Sequence, residues 1–204
     1  MMKHKKEVIR LDKSHEAGAV SILIRAFKKD PLFLHAFKTP EQAVIFATYL
    51  YQKAINQREI LLGTGERNWL KGVANLEKRK IRFSLTLLKP SFLLLSYHCF
   101  RFLPKQSFRF FNRCMRFTTQ QRPKGPHYYL NWIGVDPAAQ GSGVGSKILA
   151  YIHQIVDTDH MVTGIGLDTE NPGNVSYYEK FGYKATATAN VEGVKIFTMF
   201  RPRM

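Results

Sequence analysis

The sequence predicts an α/β domain, a sheet of about six to seven strands flanked by helices. Three observations carry this. Short runs rich in β-branched and aromatic residues recur along the chain, from Glu7–Leu11 to Val194–Phe200. Apolar residues at helical spacing fill the stretches between them. Between the strand-like run 127–135 and the helix-like run from 144 lies a glycine-rich turn, Asp136-Pro137-Ala138-Ala139-Gln140-Gly141-Ser142-Gly143.

Glu7–Leu11 alternates polar and apolar residues, and Asp12-Lys13-Ser14 then offers side chains that cap a helix. Ala19, Ile22, Leu23, Ala26 and Phe27 form its apolar face before Asp30-Pro31 breaks the pattern. Pro40 suits the first turn of a second helix, with Ala43, Phe46, Ala47, Leu50 and Ala54 facing inward. Glu59–Gly63 and Trp69–Leu76 read as strands joined by a hairpin-like turn at Gly63-Thr64-Gly65-Glu66.

Residues 78–126 differ in kind, with 12 Lys or Arg and no Asp or Glu, interleaved with aromatic residues. This basic segment is expected to be a helical insertion ahead of the central strand. Phe108, Phe111 and Met115 share one helical face, and Arg109, Arg113 and Arg116 form a neighbouring stripe. A solvated face, an acceptor-site wall and a surface for anionic lipid or nucleic acid are all consistent with that stripe.

His127–Val135 is expected as a central strand, with Gly134 marking a bulge or a close backbone approach. Val144, Ile148, Leu149, Ile152 and Ile155 face inward on the next helix. Gly164–Thr169 reads as a second core strand, and Asn171-Pro172-Gly173-Asn174 as the start of a short helix reaching Tyr177, Tyr178 and Phe181. Strands Tyr183–Val191 and Val194–Phe200 meet at Glu192-Gly193. The whole of 1–204 is expected to be a single domain.

The net charge of +16 favours polyanionic partners and argues against a free polyamine as substrate. Two cysteines, Cys99 and Cys114, form neither a disulfide framework nor a metal-ligand spacing, so no metal is expected and a reducing, cytoplasmic setting is. The apolar stretch Ser91–Leu103 is interrupted by His98 and Arg101 and is too short to span a membrane. The first residues hold no signal-peptide core.

The turn at 135–146 has the character of an anion cradle. Gly141, Gly143 and Gly145 let the backbone approach a ligand, and the first N–H groups of the following helix lack partners. Spacing excludes several phosphate or nucleophile motifs. A Walker loop needs Gly-Lys-Ser/Thr, and Lys147 follows Ser146. The dinucleotide fingerprint needs a glycine where Ser146 stands. A nucleophile elbow needs one where Val144 stands.

The pattern that fits is Gln140-x-x-Gly143-x-Gly145 after Ile133-Gly134-Val135, followed downstream by Asn171 and Tyr177-Tyr178-Glu179-Lys180-Phe181-Gly182-Tyr183. This resembles the GNAT acyltransferase superfamily, most strongly over 127–201, in a subgroup whose strand begins His-Trp-Tyr-Leu (here His127-Tyr128-Tyr129-Leu130). The resemblance implies a GNAT fold with a mixed sheet whose fourth and fifth strands splay, and acetyl-CoA as acyl donor. It implies cofactor contacts at Ile133, Gly134, Val135, Gln140, Gly141, Ser142, Gly143, Val144, Gly145, Ser146, Asn171 and Tyr178.

It further implies transfer to a primary amine by direct attack, with Tyr178 as general acid. A phenol stays protonated at neutral pH and can protonate a departing thiolate. Lys147, Tyr177 and Asn174 are open between site and structural roles. Many relatives carry a basic carboxylate on the fourth strand, and 127–135 contains none; His127 and Glu77 are the titratable residues nearest that position. The alternative to an enzyme is a CoA-binding module whose 78–126 segment binds anionic membrane or nucleic acid.

Overall fold

The computed structural model describes residues 8–66, 69–79, 96–97, 99 and 101–204. Strands β1 (Val8–Arg10), β2 (Ile60–Glu66), β3 (Trp69–Arg79), β4 (His127–Val135), β5 (Gly164–Thr169), β6 (Lys184–Val191) and β7 (Val194–Pro202) form one sheet in the order 1-2-3-4-5-7-6. Every neighbouring pair is antiparallel except β4 and β5. The helices are α1 (Glu16–Ala26), α2 (Pro31–Ala36), α3 (Pro40–Asn56), α4 (Lys105–Gln121), α5 (Val144–Thr158) and α6 (Pro172–Glu179).

Alternation along the central strands buries both faces of the sheet. Leu62, Ala74, Leu76 and Leu130 face α5, which contributes Val144, Ile148, Leu149, Ile152 and Val156. Leu61, Val73 and Trp132 face the other way, against Leu23 of α1 and Ala47 and Tyr51 of α3. On α5 it is Val156 that completes the buried stripe, while Ile155 is half-buried.

Side-chain caps start three of the helices. Asp30 accepts from the Leu32 and Phe33 N–H groups at 3.0 and 3.4 Å, Thr39 from Gln42, and Asn171 from Gly173, each followed by proline at the first helical position. Asp30-Pro31 therefore ends one helix and starts another, α2, which the periodicity did not reveal.

Two local expectations are corrected. The stretch Gly63-Thr64-Gly65-Glu66 is the end of β2, kinked by a register shift between Thr64 and Gly65. A Cβ at Gly63 would lie 2.7 Å from Leu11 Cδ2, so that glycine serves strand packing. Residues 67–68, between β2 and β3 in the sequence, lie outside the described residues. On α4 the buried row is Ser107, Phe110, Cys114 and Thr118, with Phe111 half-buried and Met115 exposed. Phe110 and Cys114 pack against Val194 and Ile196 of β7, which pulls the helix round. Arg109, Arg113 and Arg116 are exposed, and Arg113 pairs with Glu192 at 2.8 Å. Most of Ser91–Leu103 lies outside the described residues.

One feature of the sheet positions the cleft at the end of β4. β4 and β5 pair only from Tyr128–Leu130 to Ile165–Leu167. Beyond that point β4 continues with β3 to Val135, and β5 continues with β7 to Thr169, so the two strands diverge. The register between β3 and β4 jumps at Asn131, a bulge that bends β4 where the divergence begins.

Candidate active site

The glycine turn hangs from the end of β4. Asp136 N–H bonds the Lys71 carbonyl at 2.9 Å, and the Asp136 carboxylate accepts from Ala138 N–H at 3.0 Å and from Arg25 at 2.6 Å. Those bonds hold its carboxyl below the usual carboxylate range, the Arg25 bond first. Gly141 and Gly143 have φ of +74° and +79°, with no heavy atom within 4 Å of where a Cβ would stand. Both conditions suit glycine, and both leave the surface open. Lys147 N–H makes the first bond of the helix, to Gly143 O at 3.0 Å. The N–H groups of Val144, Gly145 and Ser146 consequently have no helical acceptor and point out of the N-terminus of α5.

A cleft of about 900 Å³ opens in front of these groups. Of the twelve residues expected at a cofactor, Ile133, Gly134, Val135, Gln140, Gly141, Gly143, Val144, Gly145, Ser146, Asn171 and Tyr178 line it. Ser142 does not line it, and its hydroxyl turns back to the Ala139 carbonyl at 2.6 Å. Gly134 is a close-approach glycine, since a Cβ there would sit 3.2 Å from Ala26 Cβ. Asn171 is at once cleft lining and helix cap. Asn174 reaches Thr169 Oγ1 at 3.3 Å, and Tyr177 shares a 3.2 Å hydrogen bond with Ser146. Arg25, Lys28 and Lys29, at the C-terminal end of α1, add positive charge that motif reading did not find.

Behind the cleft lies a second cavity of about 210 Å³. Phe27, Asp30, Ile133, Asn174 and Tyr178 line both spaces, so Tyr178 stands at their junction. Its ring packs edge-on to Tyr177 and Tyr183 at 5.6 Å, and the residue is 6% exposed. Burial, and then the neighbouring Tyr177, Asp168 and Glu170, push its phenol further above the ordinary value.

The inner cavity joins phenylalanines to carboxyls. Phe27 and Phe33 stack at 5.2 Å, and Phe46 and Phe111 stack at 4.5 Å. Among them stand Asp30, Glu59, Asp168 and Glu170, against the two cations Lys53 and Arg122. Burial raises all four carboxyls. For Glu170 the rise is large and is increased by Asp168 and Asp30. Tyr129 donates to Asp168, and Arg122 lies over the Tyr129 ring at 3.5 Å, facing Glu77 at 3.6 Å. On the cavity floor Glu59 Oε1, Asn75 Nδ2 and Arg122 Nε are buried without a partner among the described residues.

His127 and Glu77 line neither space. His127 is buried at the start of β4, bonded through Nδ1 to the Gly125 carbonyl at 2.7 Å, and burial lowers its basicity. Glu77 faces Arg79 and Arg122. Of the four acids that do reach the cavity, Asp168 and Glu170 come from β5 and the residue following it. Their signal was in the sequence: Asp168 interrupts an apolar core strand, and Glu170 follows two residues later on the same face.

A wedge between parallel strands, with an open helix N-terminus at its mouth, is the framework of the site. Residues 111–185 match the model of the acetyltransferase (GNAT) domain. Over 98% of this chain and 97% of its own, a histone acetyltransferase HPA2-related protein from Corynebacterium glutamicum is similar at 18% identity and a TM-score of 0.63. PaiA N-acetyltransferase from Thermoplasma acidophilum, solved with coenzyme A, is similar at 14% identity and TM-score 0.58, covering 96% of this chain and 98% of its own. The C-terminal condensation domain of Ebony, in complex with beta-alanyl-dopamine, is similar at 11% identity and TM-score 0.64, covering 97% and 99%. At these identities the structures carry the fold alone, and the similarity to the acetyltransferase (GNAT) domain covers residues 111–185 of the 204.

Proposed function

We propose that the protein transfers an acetyl group from acetyl-CoA to the primary amine of a small molecule that enters the inner cavity. The observation that carries this reading is the position of Tyr178, which forms part of the wall of both the cofactor cleft and the cavity behind it. The residues fit the donor. The cradle offers unpartnered N–H groups at a helix N-terminus, open space at two left-handed glycines, and cations from the end of α1. Residues 140–146 would hold the diphosphate, and the β4 edge at Ile133–Val135, freed by the divergence from β5, would hold the pantetheine amides. The donor supplies a thioester. Tyr178, protonated at neutral pH, supplies a proton to the leaving sulfur.

Similarity to PaiA, whose structure contains coenzyme A, supports the choice of donor. The experiment is release of free thiol from acetyl-CoA across a panel of amines. The expected result is amine-dependent release, reduced at least about 100-fold in Tyr178→Phe with CoA affinity retained. Undiminished turnover in that variant removes Tyr178 from the acid role.

A further inference from the structure

We propose that the acceptor is a small aralkyl monoamine, an ammonium on a short chain bearing one ring, whose nitrogen is held and deprotonated by Glu170. This rests on the acetyl-transfer reading above and names the substrate class and the base for it.

Two properties of the cavity lead here. Its walls are aromatic and aliphatic: Phe27, Phe33, Phe46, Phe111, Leu50 and Trp132 all line it. At about 210 Å³ it equals the volume of about seven liquid waters, below the range of about 300–1,000 Å³ for drug-sized ligands. That space suits a single ring with a short tail.

The other property is where the charge lies. Glu170, Asp168 and Asp30 form the acidic end. Asp30 lines both the cavity and the cofactor cleft, as Tyr178 does, so this end adjoins the junction between them. Two of the three acids are committed to structure. Asp30 caps α2 through the Leu32 and Phe33 N–H groups, and Asp168 accepts the Tyr129 hydroxyl. Glu170 carries no side-chain partner among the described residues, so of these three it is the acid available to a ligand. The cations of the cavity belong to other groups: Arg122 acts on Asp168 and Glu77, and Lys53 on Glu59. An ammonium at Glu170 thus meets an uncompensated carboxylate next to the phenol that serves the sulfur, with its apolar body on the phenylalanines.

The proton count closes. The ammonium gives one proton to Glu170, which passes it to solvent. The free amine nitrogen bonds to the acetyl carbonyl carbon, the carbon–sulfur bond breaks, and sulfur takes the Tyr178 proton. The nitrogen then loses its second proton as the amide forms, and that proton restores Tyr178. Glu170 faces Asp168 on β5, Asp30 at the start of α2, Tyr178 on α6 and the Cys114 thiol on α4. Three of these four partners are other acids or a phenol close at hand, so the acid limb of activity falls above the ordinary carboxylate range.

The test compares kcat/KM for 2-phenylethylamine, hexylamine, spermidine, β-alanine and an alanine-headed peptide, with CoA binding measured separately by calorimetry. The expected order places 2-phenylethylamine at least tenfold above spermidine, β-alanine and the peptide. Glu170→Gln is expected to lose about 100-fold or more in kcat and the acid limb of its pH profile, with CoA affinity unchanged as proof of folding. Glu170→Asp is expected to recover part of that loss. Phe46→Ala raises KM for 2-phenylethylamine more than it lowers kcat. Spermidine or the peptide as best acceptor overturns the substrate class while leaving acetyl transfer intact. CoA binding with no transfer to any amine overturns the parent reading. A Glu170→Gln enzyme with an unchanged pH profile overturns the base.

Discussion

Gly72 offers a direct test of how packing sets the cradle. It lies on β3 beneath the start of α5, and a Cβ there would stand 2.6 Å from Val144 Cγ1 and 3.0 Å from Ile148 Cδ1. The first distance is 0.8 Å inside the 3.4 Å at which ordinary contact begins. Val144 is β-branched and nearly fixed in χ1 on a helix, so it cannot swing away cheaply. The helix must move by several tenths of an ångström, carrying with it the Val144, Gly145 and Ser146 N–H groups. Gly72→Ala is therefore expected to cost about 1–3 kcal/mol in stability. For a chain of this size that lowers Tm by about 2–12 °C. It is also expected to weaken CoA binding by about tenfold, which is 1.4 kcal/mol spread over the displaced donors. Gly193→Ala is the control: its φ is +89°, nothing lies within 4 Å of its Cβ position, and it sits in the β6–β7 turn. It should cost about 1–2 kcal/mol through backbone strain without touching CoA affinity. Thermal melts and calorimetry of both variants decide the matter. CoA affinity within twofold of wild type in Gly72→Ala, or an equal loss in Gly193→Ala, refutes the link from strand packing to cradle.

Three further outcomes are expected. Glu170→Gln should raise Tm by about 2–4 °C at neutral pH, an increment corresponding to about 1 kcal/mol. The native carboxyl is raised above its unfolded value of about 4.3, so it opposes folding once pH exceeds that value; the gain should vanish below about pH 4, and no gain at pH 7 contradicts the burial argument. Arg201, 5% exposed, takes Asp157 through two bonds of 2.9 Å that tie β7 to α5, and Asp157→Ala is expected to cost about 3 kcal/mol by urea unfolding. Asp157 is held below the usual carboxylate range, so its contribution is complete above its unfolded value of about 3.9 and is lost as pH falls through the lower folded value. Burial, and then Arg201, lower His153 to about 4 where it contacts the Tyr183 hydroxyl. Its unfolded value is about 6.5, so stability should decline as pH falls from about 6.5 to 4, and the slope should flatten in His153→Phe.

The cradle and the strands around it were legible because each is written in contiguous residues. Glycine spacing, the proline-headed Asn171 cap and the apolar run 164–169 all act over a few positions, and the structure places them where spacing implied. The inner cavity is assembled differently. Asp30 comes from a helix cap, Glu59 from the approach to β2, Asp168 from β5 and Glu170 from the residues following it. No local window contains two of these elements except 168–170, and there the alternation of a buried strand hid a pair of acids. Reading for a base on β4 looked one strand away from where carboxyls line the cavity. The hairpin at 63–66 failed for a related reason. A glycine at a turn and a glycine under a leucine give the same letter, and only the neighbour across the sheet separates them.

The same distinction bears on charge. A chain of net charge +16 was expected to repel a free polyamine, yet four of its acidic residues line the inner cavity. Arg109 and Arg116 stand exposed on α4, where charges are screened over about 8 Å at physiological ionic strength. The cavity carboxyls act across short distances in a desolvated space that salt screens far less. If the local field governs, KM for 2-phenylethylamine should change by less than about twofold between about 50 and 300 mM salt, a range over which the screening length roughly halves. If the net charge governed, low salt would repel the ammonium, and KM would fall severalfold as salt rose. Steady-state kinetics at saturating acetyl-CoA separates the two, and a steep fall in KM would show that the surface, and not Glu170 with its neighbours, sets the electrostatics of acceptor entry.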